Sequence, residues 1–142
     1  MNREIKFRII HNNIVSGYER LSETGWEWMW LELNPDSGER WTRGIAGGSL
    51  ELIRNQFTGL HDKNGKEIYE GDILHCHEWD SSDCGHRIVQ TFKNAVVGFG
   101  QGNYYYYPKG NMQQPHQLLM YAHKPEIIGN IYEHPTLLTH AQ

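Results

Sequence analysis

The stretch HCHEWDSSDCGH, residues 75–86, gathers most of the side chains in this chain whose types and spacing can do chemistry. On a strand, His75 and His77 project from one face two residues apart, and Cys84 with His86 can do the same from a returning strand across the EWDSSD loop. Four nitrogen and sulfur ligands held by a hairpin would suit tetrahedral zinc. The spacing argues the other way. Neither C-x2-C nor H-x3-H is present, Cys76 points away from the two flanking histidines on a regular strand, and nine histidines in 142 residues invite chance clustering. The favoured reading is of half-exposed strand histidines beside an ordinary buried thiol, with no cofactor, and His75, His77, Cys84 and His86 stand as the zinc alternative. A Cys76–Cys84 disulfide is disfavoured, because two cysteines in a chain of this size read as reduced thiols in a reducing compartment.

Other catalytic patterns are weaker. Glu70 with Asp72, or Asp80 with Asp83, pair as carboxylates in sequence, but neighbouring acids in polar turns are usually just solvated. There is no G-x-S-x-G, no P-loop, and GFGQGN at 98–103 lies among strand-type runs, where a bend or bulge accounts for its glycines. The expectation is a protein that is not an enzyme. A calcium loop is excluded within QFTGLHDKNGKEIYEGDIL (56–74): with Gly65 as the sixth loop residue, the first position falls on Leu60 and the twelfth on Gly71, where carboxylates are needed. Architecture explains this stretch better. Asn64-Gly65 is the preferred pair for a tight hairpin turn with two positive φ angles, so FTGLHD and KEIYEG are its arms, and Gly71 and Asp72 make a second bend into ILHCH.

The elements that must position these residues are strands. EIKFRI alternates apolar Ile5, Phe7 and Ile9 with charge, and WEWMWLEL puts Trp26, Trp28 and Trp30 on one face, closed by the turn cluster NPDSG at 34–38. GIAGGS (44–49) is a small-residue connection into LELIRNQF, which fits a short helix or a strand equally. RIVQTF, NAVVGF, NYYYY and EIIGNIY are further β-type runs, and no long helical period appears. The chain reads as one mainly β domain, 1–142, of short antiparallel strands with few helical turns.

Composition narrows the function classes. Charged residues make up 21% and hydrophobic ones 38%, which describes a foldable chain, and no apolar run nears the roughly 20 residues of a membrane helix. MNREIKFRII lacks a signal-peptide layout, so a soluble cytoplasmic protein is expected. Acids outnumber bases 17 to 13, so the basic groove that holds a nucleic-acid backbone is not visible. Five tryptophans and the Tyr104–Tyr107 run exceed what a small core obviously needs, and aromatics on an open β surface grip partners. Trp28, Trp79, Tyr104 and Tyr106 are taken as the interaction surface. Two function classes follow: a protein-interaction or self-association module, favoured by charge, and a single-strand nucleic-acid barrel that stacks bases on those aromatics.

QFTGLHDKNGKEIYEGDIL and EIIGNIYEHPTLL (126–138), with REIKFR at 3–8, resemble the hallmark segments of the YopX family of phage and prophage proteins, in the same order. The resemblance implies a mainly β domain of coiled and bifurcated sheets with SH3-like barrel character. It also implies an origin in a bacteriophage or integrated element. Taken with the aromatic surface and the soluble composition, the expected partner is a host or phage protein, or a second copy, met in the host bacterial cytoplasm. It implies no activity. The chain departs from the pattern at His134 and Thr136, where relatives tend to carry Asn and Glu, and in the tryptophan-rich residues 26–44. His134 is a poorer helix N-cap than Asn, so a weakened terminal helical turn is expected there.

Overall fold

The computed structural model describes residues 4–31, 41–47, 51–80, 87–108 and 115–139. The protein is mainly β, as its alternating runs require. Eleven strands are described: β1 (Lys6–His11), β2 (Ile14–Ser22), β3 (Gly25–Trp30), β4 (Thr42–Arg43), β5 (Ile53–His61), β6 (Glu67–Tyr69), β7 (Asp72–Asp80), β8 (Arg87–Gly100), β9 (Asn103–Pro108), β10 (Gln117–Leu118) and β11 (His123–Asn130). A 3-10 turn covers Leu119–Tyr121, and a single turn of helix, α1, covers Thr136–Thr139. The strand pairings are antiparallel, and the two sheets run in the orders β4-β3-β2-β1-β5-β6 and β10-β9-β8-β7-β11. Both orders end on edges, so the barrel character implied by the resemblance does not extend to a closed barrel.

The chain divides into two compact units, residues 1–59 and 60–142. The first is built on β1 to β5. Its buried apolar residues are Ile9, Ile10, Met29, Ala46 and Phe57. LELIRNQF resolves as strand. Trp26, Trp28 and Trp30 do share a face and are half-buried, with Trp28 and Trp30 edge to face at 5.7 Å and Trp26 against Phe7 at 6.1 Å. Burying charge in this unit requires partners. Glu19, only 3% exposed, accepts from the Ala46 amide and from Arg54 Nε, each at 2.7 Å, while Arg54 also donates to the Ala46 carbonyl. Buried Arg8 donates Nε and Nη2 to Asn55 Oδ1. The NPDSG turn lies outside the described residues.

The second unit packs Ile68, Leu74, Cys76, Phe92, Ala95, Val97, Tyr104, Tyr106 and Leu119 into one core. RIVQTF and NAVVGF run together as the 14-residue β8. Gln101 and Gly102, at φ 49° and 81°, turn β8 into β9, so the glycines of GFGQGN belong to a tight hairpin and not to a bulge. Asn12 and Asn13, at 53° and 61°, make the same kind of turn between β1 and β2.

The hairpin around Asn64-Gly65 forms, with Ile68 and Ile73 buried at 1% and 0% exposure, but its turn differs from the one expected. Gly65 has φ 85° while Asn64 is not among the positive-φ residues. The Gly65 amide donates to the Asp62 carbonyl at 3.0 Å and the Asp62 amide donates to the Lys66 carbonyl at 2.8 Å. This is a three-residue loop, a type I turn followed by a left-handed glycine. Only one residue must therefore tolerate positive φ. Gly65→Val is expected to lower stability by about 1 kcal/mol or more by putting a β-branched side chain there; a urea midpoint equal to the parent's would contradict it.

The second bend is also built as expected. Gly71, at φ 86°, donates its amide to the Val97 carbonyl and accepts from the Ile131 amide, both at 2.9 Å. Asp72, 1% exposed, accepts from the Tyr69 amide at 2.8 Å. Through this bond the carboxylate supports the bend.

Candidate functional site: the His75–His77–His123 face and its aromatic groove

Strand β7 sorts its side chains between two environments. Leu74 and Cys76 face the core, where burial pushes the Cys76 thiol up to about 12 and leaves it no thiolate for attack at neutral pH. His75, His77 and Trp79 alternate to the opposite face. β11 lies antiparallel beside β7, with His123 directly across from His77 and Glu126 across from His75. Three imidazoles therefore form a row. The His75 and His77 rings meet edge to face at 5.1 Å, His77 and His123 lie 6.4 Å apart, and the His123 ring packs against Trp79 at 3.8 Å.

The surroundings of His77 and His123 disfavour their charged forms. Burial lowers the pKa of His77, helped by His75, His123, Lys124 and Lys63; burial, then Lys124, lowers that of His123. His77 Nδ1 shares a hydrogen bond of 2.8 Å with Thr91 Oγ1. Among the described residues, His123 Nε2 is buried with no hydrogen-bond partner. Its neighbour Lys124 is held at φ 48°, where the chain bulges between His123 and Glu126.

Beside this row opens a groove of about 450 Å³, lined by Trp79, Gln117, Met120, Tyr121, Ala122 and His123. Its volume falls within the range of small-ligand pockets. Met120 and Tyr121 are 63% and 58% exposed, a large apolar surface offered by a three-residue turn. Gln117 is fixed from behind, because its Oε1 accepts from the Tyr106 hydroxyl at 2.8 Å. His116 is held against Glu78 Oε1 at 2.9 Å and over Phe92 at 4.6 Å.

The sequence-predicted residues meet different fates. Trp79 lines the groove. Trp28 lies half-buried in the first unit. Tyr104 and Tyr106 are corrected from surface to core, at 6% and 0% exposure: β9 turns these two tyrosines inward, where Tyr106 packs on Phe92 at 5.5 Å. Of the zinc candidates, His75 and His77 share a face, while Cys84 and His86 lie outside the described residues, as does Asp83 of the Asp80–Asp83 pair. Among the described residues, no group of three or more His, Cys, Asp or Glu is placed to hold a metal ion. His123, Met120 and Tyr121 were missed, because QLLMYAHKP carries no periodic or motif signal.

Near the C-terminus, Asn130 Oδ1 accepts from the Tyr132 and Glu133 amides, and the Asn130 amide donates to His134 Nδ1 at 3.2 Å. The departure at His134 thus has a structural use. Its ring covers Gly129, where a Cβ would sit 2.8 Å from it.

The hairpin of Asp62–Lys66, the bend at Gly71–Asp72 and the Asn130 turn are the segments quoted above, now seen as interlocked backbone supports. The family model described as YopX protein matches residues 9–139. The chain belongs to the YopX family. Among solved structures, it is similar to protein EF1440 from Enterococcus faecalis, at 23% identity over 94% of this chain and 78% of that one, with a TM-score of 0.40. No curated protein matches. Among the described residues, no helix is long and apolar enough to cross a membrane.

Proposed function

We propose that this YopX-family chain is a non-enzymatic, phage- or prophage-encoded binding protein that acts in the host bacterial cytoplasm, seating a side chain of a partner protein in the Trp79–Tyr121 groove. The observation that carries this reading is the groove itself: an aromatic wall, Trp79, stands beside two largely exposed apolar residues, Met120 and Tyr121. Such surfaces supply the anchors of protein interfaces. The buried, strongly protonated Cys76 and the structural role of Asp72 remove the best nucleophile and the best carboxylate from consideration. The excess of acids over bases, 17 to 13, weighs against a nucleic-acid backbone as the occupant.

Met120→Asp with Tyr121→Asp is expected to leave the thermal midpoint nearly unchanged, since both side chains are mostly in water, and to weaken partner retention by about tenfold or more. The measurement is affinity capture from induced host cells with parent and variant, alongside sedimentation of the purified protein. Equal capture by both would remove the groove from the reading. Sub-micromolar, salt-sensitive binding of single-stranded DNA or RNA would replace the protein partner with a nucleic acid.

A further inference from the structure

We propose that the groove and the histidine row beside it form one docking strip for an acidic, extended segment of a partner protein, with an aromatic residue in the groove and Asp or Glu over the row. This rests on the groove reading above and adds the partner's chemistry to it. Groove and row are continuous, because Trp79 and His123 belong to both: they wall the groove and pack on each other at 3.8 Å. From His123 the row runs to His77 at 6.4 Å and on to His75 at a further 5.1 Å. An extended chain repeats its side chains on one face about every 6.5–7 Å. Residues at i, i+2 and i+4 of such a segment therefore match the groove, His77 and His75 in turn.

Charge decides the partner's sign. The protein as a whole is acidic, with a formal net charge of −4, but this strip is the reverse. The groups whose charge acts on the His77 ring are His75, His123, Lys124 and Lys63, all basic. Both lysines are exposed. The acids nearby are already engaged: Glu126 with Lys63 at 3.3 Å, Asp62 with three backbone amides, and Asp80, beyond Trp79, across from Arg87 in the strand register. A carboxylate brought to the strip therefore meets opposite charge, and an imidazole donates an N–H to it even when neutral. His123 adds an unmet hydrogen bond. Among the described residues its buried Nε2 has no partner, and a turn of the ring offers that atom to a polar group in the groove.

The test uses two acetylated and amidated peptides, Tyr-Ser-Glu-Ser-Glu and Glu-Ser-Glu-Ser-Tyr, because the segment can run either way, with matched peptides in which Gln or Lys replaces Glu. Calorimetric titration of the parent protein at neutral pH should give one acidic peptide a Kd of about 100 µM or tighter in about 50 mM salt, weakened about tenfold in about 500 mM. The Gln peptide should bind about fivefold more weakly and the Lys peptide not measurably at about 1 mM. Lys124→Glu should weaken the acidic peptide about fivefold with its melting unchanged, and Met120→Ser with Tyr121→Ser should weaken every peptide. Equal binding of the Glu, Gln and Lys peptides, all lost in the serine variant, would overturn the acidic partner and leave the groove reading standing. Acidic binding indifferent to the serine pair would overturn both. No binding of any peptide at about 1 mM would overturn the strip, and if a variant fails to fold, the peptide series on the parent decides.

Discussion

Replacing Gly17 with alanine is expected to destabilise the first unit by about 3 kcal/mol, although the position is a plain mid-strand residue by location. A Cβ built there would lie 2.2 Å from the Met29 carbonyl oxygen and 3.2 Å from the Met29 carbonyl carbon and the Trp30 Cα. All three neighbours are backbone, so no side chain can swing away. The cause is a bulge. Ile9 pairs with Gly17 while Ile10 pairs with Val15, which leaves Ser16 as an extra residue in β2. The bulge presses β2 onto β3 at the Gly17–Trp30 pair, and an added methyl must part the two strands. Gly25→Ala separates this steric effect from a torsional one: Gly25 has φ 119° but open space around it, so its cost should be nearer 1 kcal/mol. Urea unfolding of the two variants provides the comparison. A Gly17→Ala protein within 0.5 kcal/mol of the parent would mean that β2 and β3 stand further apart than described.

The same bulge explains why part of the fold escaped the sequence. The alternation of Ile5, Phe7 and Ile9, and of the three tryptophans, makes β1 and β3 legible, although Ile10 and Met29 add apolar residues on the other face. β2 is not. IVSGYERLS breaks its period at Ser16-Gly17, the residues that make the bulge, so it shows no strand pattern until its neighbours are in place. The tyrosine run failed for a related reason. Alternation says that Tyr104 and Tyr106 share a face, but not which face meets the core, and Tyr107 on the other side is buried too, at 5% exposure. For the histidine face, the β7 half was legible and the β11 half was not. His123 joins His77 only through a pairing of strands about 46 residues apart, a relation that local spacing does not encode. In the β5–β6 hairpin, Asn64-Gly65 marks the turn, but the residue that organises it is Asp62, two positions before Asn64.

Asp62→Ala is expected to cost about 3 kcal/mol at neutral pH, with a loss that shrinks in acid. Asp62 is 6% exposed and its carboxylate accepts three backbone amides: Asn64 at 2.8 Å and Lys66 at 2.9 Å through Oδ1, and Ile127 at 3.1 Å through Oδ2. One side chain thus closes the β5–β6 turn and ties it to β11, helped by the Lys63 amide donating to the Pro125 carbonyl at 2.7 Å. Hydrogen bonds to a charged acceptor are worth about 1.5–3 kcal/mol each, and water can replace part of the two in the exposed turn, so the sum falls short of three full bonds. Burial raises the Asp62 pKa, but the Ile127, Lys66 and Asn64 amides together with the Lys66 charge outweigh it, and the net shift is downward. A carboxyl depressed in the folded state gives its full stabilisation above its unfolded pKa of about 3.9 and loses it as pH falls through the lower folded value. The gap between parent and Asp62→Ala should therefore be constant from pH 7 to about 5 and narrow below about 4. Asp62→Asn should not rescue the loss, because either orientation of the amide turns an N–H donor toward Ile127 or toward the Asn64–Lys66 pair. Urea midpoints measured from pH 7 down to pH 3 decide the matter. A gap that stays constant throughout would show that Asp62 acts by packing alone, and an Asn variant as stable as the parent would show that its charge and double acceptance are dispensable.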